Sequence, residues 1–321
     1  MNYKRQEPYN RYELDLPFIG ITSFGKFPIC ADLDKLDADA AIIGIPYDLS
    51  IQYRNGSRLG PRGIRTESML WAMRSAGGYD YERDEVFLGP ACKIVDCGDV
   101  EMVHADLEQC FENTEQTIRK IVKMGALPVS MGGDHSVTIP IVAALDCYEK
   151  IHILHIDSHL DWADVRSGQR FGNGSPMRRI SELAFVDKMV QIGIHGMGSS
   201  GKNDFDDARA YGSQLISPRQ LRKEGVDAAL SYLPEGEKLY ITVDIDGLDA
   251  SVAPGAGSPN PGGLYFDELD EIVEKACKRC EVIGYDLVEV APMYDPTNVT
   301  CMIASKLIMN FLGYVMKSKG K

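Results

Sequence analysis

The chain has 321 residues, 44% of them apolar and 25% charged, which is enough for one large α/β core or two modest domains. Its formal charge of −13 and pI near 5.0 argue against a protein that grips nucleic-acid phosphates or an anionic membrane, and suit a small cationic ligand better. The opening segment MNYKRQEPYNRYELDLPF has no apolar core of signal-peptide length, and no uncharged apolar run reaches the roughly 20 residues of a spanning helix, so the expectation is a soluble, cytoplasmic chain.

Taken in chain order, short apolar, β-branched runs predict strands at 39–46, 93–98, 126–133, 150–157, 189–194, 238–246 and 281–290, with SQLIS (213–217) as a further short one. Several are nearly continuous in apolar character, as strands buried on both faces of a parallel sheet are. Amphipathic helices are predicted at 108–124, 137–149, 267–280 and 300–317. This alternation predicts an α/β fold, a three-layer α/β/α arrangement around a mainly parallel sheet of about eight strands. Residues 1–321 carry no linker or repeat and read as a single domain. RNGSRLGPRG (54–63) and APGAGSPNPGG (253–263) read as ordered surface loops beyond the carboxyl ends of the strands. The eight cysteines lie in apolar stretches as reduced core thiols do, and the lone CxxC of Cys277 and Cys280 sits on one helical face, which favours packing over zinc or redox chemistry.

The chemistry concentrates at strand ends. In HIDSHLDWAD, Asp157, His159 and Asp161 follow a buried run at a spacing of two, which in extended backbone places them on one face. LYITVDIDGLD repeats the arrangement with Asp244 and Asp246, and ALPVSMGG runs into His135, with Gly132 and Gly133 read as permitting a sharp backbone turn. Four carboxylates gathered without compensation would be costly to ionise. Two divalent cations balance them, with His135 and His159 as neutral ligands. Oxygen and imidazole donors suit Mn²⁺, with Zn²⁺, Fe²⁺, Co²⁺ and Ni²⁺ as competitors. Paired ions of this kind stand roughly 3.5–4 Å apart in hydrolytic sites and activate water, so hydrolysis is the natural chemistry. Glu289, at the end of EVIGYDLVEV, is left over, and a carboxylate that holds no metal can receive a planar guanidinium through paired hydrogen bonds.

With these residues in place the sequence resembles the ureohydrolases, the family of arginase, agmatinase and the guanidino-acid hydrolases. GGDHS (132–136) is similar to the family's first ligand motif, and DSHLD (157–161) to DAHxD with Ser158 for alanine. TVDIDGLD (242–249) resembles SxDxDxxDP with Thr242 and Ala250 differing, and YDLVEVAPMYD (285–295) the segment that carries the substrate glutamate. IIGIPYD (42–48), RNGSRLGPRGIR (54–65) and the loop APGAGSPNPGG extend the resemblance over most of the chain from about residue 40. It implies an arginase-like fold and two Mn²⁺ held by His135, Asp157, His159, Asp161, Asp244 and Asp246. It also implies hydrolysis of a guanidino compound to urea and an amine, with Glu289 orienting the guanidinium and Asp161 passing a proton to the leaving nitrogen. Agmatine, yielding putrescine, is the favoured substrate, with guanidinobutyrate, guanidinopropionate or a small guanidine as alternatives. The expected partners are this small cationic substrate and other copies of the chain, as a trimer or hexamer, with no nucleic acid and no membrane.

The sequence departs from the family in two places. Asn173 stands where many members carry the histidine of an HG motif, and an amide cannot titrate near neutral pH. His195 stands where arginine is common, and is left outside the ligand set. The segment also lacks the acidic sequence with which arginases hold an α-amino group, which disfavours arginine. Two further classes stand beside the hydrolase reading: a one-zinc deacetylase of the related fold, which would lack part of the six-residue set, and a catalytically impaired structural or regulatory member, for which Asn173 is the motive.

Overall fold

The computed structural model describes residues 16–72, 76–198 and 200–321. Residues 1–15 of the opening segment, and Ser199, lie outside the described residues. Ten strands follow in order: β1 (Ala40–Ile45), β2 (Gly78–Asp80), β3 (Glu85–Phe87), β4 (Ile94–Asp99), β5 (Leu127–Gly132), β6 (Ile151–Ile156), β7 (Val186–Ile192), β8 (Gln214–Ile216), β9 (Lys238–Asp244) and β10 (Glu281–Val288). Eight form one sheet in the order β4-β1-β5-β10-β9-β6-β7-β8, with every neighbouring pair parallel. β2 and β3 form a separate antiparallel hairpin that the sequence patterns do not announce.

The apolar runs explain the layering. Every residue of β1, β5 and β6 is buried, so each strand feeds two cores by alternation. On one face Ile42, Val129, Met131, Ile156, Ile241 and Val243 pack with the helices Phe266–Arg279 and Val299–Ser318. On the other, Ile43, Ile45, Ile153, Met189 and Tyr240 pack with Leu107–Lys123. Each fully buried aliphatic side chain contributes roughly 1.5–3 kcal/mol, several times a surface ion pair, so these two layers hold the strand ends in place. Val299–Ser318 is long and apolar enough by composition to cross a membrane, yet most of it is buried in the protein.

Some expectations need correction. The helix predicted over 137–149 spans only Thr138–Ala143; residues 138–142 are all buried, so it is a wedge between layers with no polar face to extend. RNGSRLGPRG is not wholly a loop: Ser57–Leu59 makes a tight 3-10 turn that runs into the helix Gly60–Ser68, with Pro61 in the first turn where its missing N–H costs nothing. Cys277 and Cys280 are buried free thiols in the core, but Cys147 is exposed and Cys30 and Cys92 are half-buried, so the cysteines are not uniformly core residues.

Candidate metal centre

The four strands β5, β10, β9 and β6 are consecutive neighbours in the sheet, and the chain leaving their carboxyl ends supplies His135, Glu289, the pair Asp244 and Asp246, and Asp157 with His159 and Asp161. Parallel register therefore brings residues more than 100 positions apart to one edge. Gly132 and Gly133 matter here for closeness of approach. Neither has a positive φ, but a Cβ on Gly133 would fall 1.7 Å from the carbonyl oxygen of Tyr47, and one on Gly132 2.5 Å from Val288. Asp161 and Glu289 are themselves left-handed, with φ of 52° and 65°, conformations that cost a non-glycine residue energy and recur at functional sites.

All six expected ligands converge. His135 Nδ1 lies 3.1 Å from Asp157 Oδ2, 3.1 Å from Asp161 Oδ2 and 3.3 Å from Asp244 Oδ2. His159 Nδ1 lies 3.4 Å from Asp157 Oδ1 and 3.2 Å from Asp246 Oδ2. Asp157 thus turns Oδ2 to His135 and Oδ1 to His159, and two donor groups share it. One is His135, His155, Asp157 and Asp161, with Asp244 beside His135, and the other is Asp157, His159 and Asp246. Separations near 3 Å are those of neighbouring donors around one small cation with bonds of roughly 2.0–2.2 Å.

Hydrogen bonding tests whether cations fit. Asp286, fully buried, accepts from the hydroxyls of Tyr240 (2.6 Å), Thr242 (2.6 Å) and Thr138 (2.8 Å). With its proton given to Asp286, the Thr242 hydroxyl accepts from His135 Nε2 at 3.0 Å. That network assigns the ring proton to Nε2 and leaves a lone pair on Nδ1, which is buried and has no aligned hydrogen-bond partner. An unpartnered imidazole nitrogen aimed among three carboxylate oxygens fits a divalent cation.

Charge follows the same logic. Burial, then Asp246 and Asp157, raise Asp244 well above the usual carboxylate range, and burial, then Asp157, raise Asp161. Burial opposes ionisation of Asp157, but His155, then His135 and His159, outweigh it and hold Asp157 well below that range. Burial, then Asp134, push Glu289 up to about 8. Despite burial, carboxylate neighbours also raise His135 and His159, so without cations these two rings and several acids keep protons that divalent ions would replace.

A cleft of about 170 Å³ opens onto the cluster, lined by Asp161, Asp244, Asp246 and Glu289 at its floor and by Gln52, Tyr53, Arg166, Asn173 and Ser258 among its walls. Glu289 Oε1 accepts from the backbone N–H of His135 at 3.0 Å and from the Asn173 amide at 3.3 Å. Gln52 in turn donates to Asn173 Oδ1 at 3.3 Å, and Ser50 Oγ accepts from the Asn173 backbone at 2.9 Å. The Gly-Pro loop closes on the other carboxylate oxygen, since a Cβ at Gly257 would fall 2.8 Å from Glu289 Oε2. The His195 ring nitrogens hydrogen-bond the carbonyls of Gly193 (2.7 Å) and Pro261 (3.1 Å), and its backbone N–H donates to the carbonyl of Ser158 at 3.2 Å.

Sequence reasoning passed over three contributors. His155 Nε2 donates to Asp157 Oδ2 at 2.9 Å, its Nδ1 accepting from the Gln191 amide at 2.9 Å, so it orients Asp157. It lies two residues before Asp157 on the same strand face, and the spacing of two that picks out Asp157, His159 and Asp161 extends to it. Asp286 gives no such signal, because its partners come from two other segments, Tyr240 and Thr242 on β9 and Thr138 at the start of the short helix. Ser158, noted only as a departure, donates to Asp246 Oδ1 at 2.8 Å and so adds a hydrogen bond that alanine lacks.

A family model described as Arginase family matches residues 38–313. The chain is 32% identical over 304 residues to the guanidinobutyrase of Pseudomonas aeruginosa, with 92% of each covered. It is 33% identical over 279 residues to an agmatinase of Bacillus anthracis, covering 86% of this chain and 91% of that one. Among solved structures it is similar to the proclavaminate amidino hydrolase from Streptomyces clavuligerus, with a TM-score of 0.85, 28% identity, and coverage of 94% of this chain and 99% of the other.

Proposed function

The chain belongs to the arginase family, and on that footing we propose that it is a hydrolase with two divalent metal ions that cleaves a guanidino compound to urea and an amine. The observation that carries the reading is Asp157, whose two oxygens are divided between the His135 group and the His159 group. His135, Asp157, Asp161 and Asp244 would hold one ion and Asp157, His159 and Asp246 the other. Mn²⁺ is the choice that the oxygen-rich donor set and the family favour. Bound there, the pair would supply an activated water at neutral pH and Lewis acidity at the reacting carbon.

The chain's own side chains do the rest. Glu289 is rigidly placed by the His135 N–H and receives the planar guanidinium, whose charge restores its ionisation in a buried setting. Asp161, on a strained backbone at the cleft floor, moves a proton toward the departing nitrogen. Asn173 holds Glu289 and cannot itself shuttle a proton. The relatives named guanidinobutyrase and agmatinase support guanidino acids and agmatine as candidate substrates.

The test is a urea-release assay on protein reconstituted with Mn²⁺, across agmatine, guanidinobutyrate, guanidinopropionate, arginine and free guanidine. Urea from at least one, two ions per chain by elemental analysis, and loss of both in Asp246→Asn are expected. No urea from any of them, or one tightly held zinc per chain, would remove the reading.

A further inference from the structure

Among the described residues lining the cleft, Arg166 is the only arginine or lysine. Its loop neighbours are paired: Arg170 and Arg179 with Asp164, at 3.3 and 2.6 Å, and Arg178 with Asp207 at 2.9 Å. The Arg166 guanidinium has no such partner among the described residues, although the side chain is half-buried. Its place is fixed by a tight hairpin. Arg166 and Gln169 exchange backbone hydrogen bonds, both 2.9 Å, around Ser167 and Gly168 with φ of 51° and 81°, the two-residue turn that requires left-handed residues. The side chain lies against Gly174, where a Cβ would come 3.2 Å from Nη1 and 3.6 Å from Cδ, so the glycine leaves the slot it occupies.

Charge balance then selects a ligand. Four aspartates balance two divalent ions, which leaves Glu289 negative at the floor and Arg166 positive on the wall. The complement is a molecule with a guanidinium at one end and an anion at the other. A guanidine ending in an ammonium would instead set like charge beside Arg166. We propose that Arg166 is the carboxylate-binding residue of the cleft and that the substrate is an ω-guanidino carboxylic acid in preference to agmatine. A planar guanidinium suits such a carboxylate through two parallel N–H bonds. This inference rests on the guanidino-hydrolase reading above.

The experiment compares kcat/KM for 4-guanidinobutyrate, 3-guanidinopropionate and agmatine in the full-length, Mn²⁺-loaded protein and in Arg166→Met, Arg166→Lys and Arg166→Glu. Calorimetric binding of the product 4-aminobutyrate serves as a readout independent of turnover. The wild type is expected to prefer an acid. Arg166→Met should lower kcat/KM for the acids roughly ten- to hundredfold, mainly through KM, raise it for agmatine, and abolish 4-aminobutyrate binding. Arg166→Lys should recover part of the loss, and Arg166→Glu should turn the preference toward agmatine. A wild type that prefers agmatine, or an Arg166→Met variant that keeps the acid-to-agmatine ratio, overturns the inference and leaves the hydrolase reading standing. Absence of urea from all three substrates overturns that reading itself.

Discussion

Nε2 of His135 lies 3.0 Å from Oγ1 of Thr242, and this hydrogen bond decides which ring nitrogen faces the carboxylates. Thr242 passes the constraint on to Asp286, which Tyr240 and Thr138 hold in place from the same layer. Removing the hydroxyl leaves the ring free to rotate and its N–H without an acceptor. Thr242→Val should therefore weaken metal binding roughly ten- to hundredfold, the usual cost of losing an orienting partner behind a ligand. Thr242→Ser should stay close to wild type. Competition against a chelator of known affinity measures it, and equal affinity in Thr242→Val would show that the relay does not orient the ligand.

Metal-free protein should lose stability as pH rises. Glu289 holds its proton up to about 8 in the folded state, against 4.5 as its ordinary value. Across that window the folded state binds more protons than the unfolded one, so stability falls with pH, by roughly 1 kcal/mol per pH unit for one group at full effect. Asp161 and Asp244, raised by burial first, and His135 and His159, raised by their carboxylate neighbours despite burial, act in the same direction. Asp157 is depressed, so its contribution is complete above its ordinary 3.8 and is lost only in acid below that value. The melting temperature of stripped protein should drop between about pH 5 and about pH 8, less steeply in Glu289→Gln. The increase on adding Mn²⁺ should grow over the same range, because the ions displace those protons. A melting temperature of the stripped protein that climbs with pH would contradict the charge assignment.

His155 carries a third prediction. Its ring is locked between Asp157 and Gln191, and Gln191 also donates to the carbonyl of Leu160 (2.9 Å) and accepts from Ser213 (2.8 Å). His155→Leu should cost about 1–3 kcal/mol by leaving a buried amide hydrogen unpaired. It should also loosen both ions together, since Asp157 serves both groups. Loss of only one ion would place Asp157 in a single group.

These residues show what a sequence makes visible. The strands and the six side chains that converge at their ends are legible because burial on two faces leaves continuous apolar runs, and because alternation along a strand end puts chemistry on one side. His155 obeys that alternation, yet it sits inside the apolar run and so resembles a core residue. Asp286 and Arg166 obey no local rule: one is defined by hydroxyls from Tyr240, Thr242 and Thr138, the other by the missing Cβ of Gly174 across a turn. Pro61 misled for a related reason, because proline and glycine mark both a loop and the first turn of a helix.

Asn173 allows the sharpest test of chemistry by substitution. It touches Glu289 at 3.3 Å and lines the cleft, so a side chain there reaches the substrate end of the site. The amide offers hydrogen bonds but no ionisation near neutral pH. Asn173→His would bring in a group that titrates at about 6.5 unless its surroundings move it. The wild-type kcat should show no ionisation attributable to this position, and Asn173→His should add one near neutral pH, shifted upward by the adjacent Glu289 carboxylate. An imidazolium there can give its proton to the departing amine, so kcat should rise roughly tenfold or more on the plateau below that ionisation, as general acids contribute. An unchanged pH profile in Asn173→His, with metal content and melting temperature intact, would mean that this wall of the cleft positions Glu289 and takes no part in proton transfer.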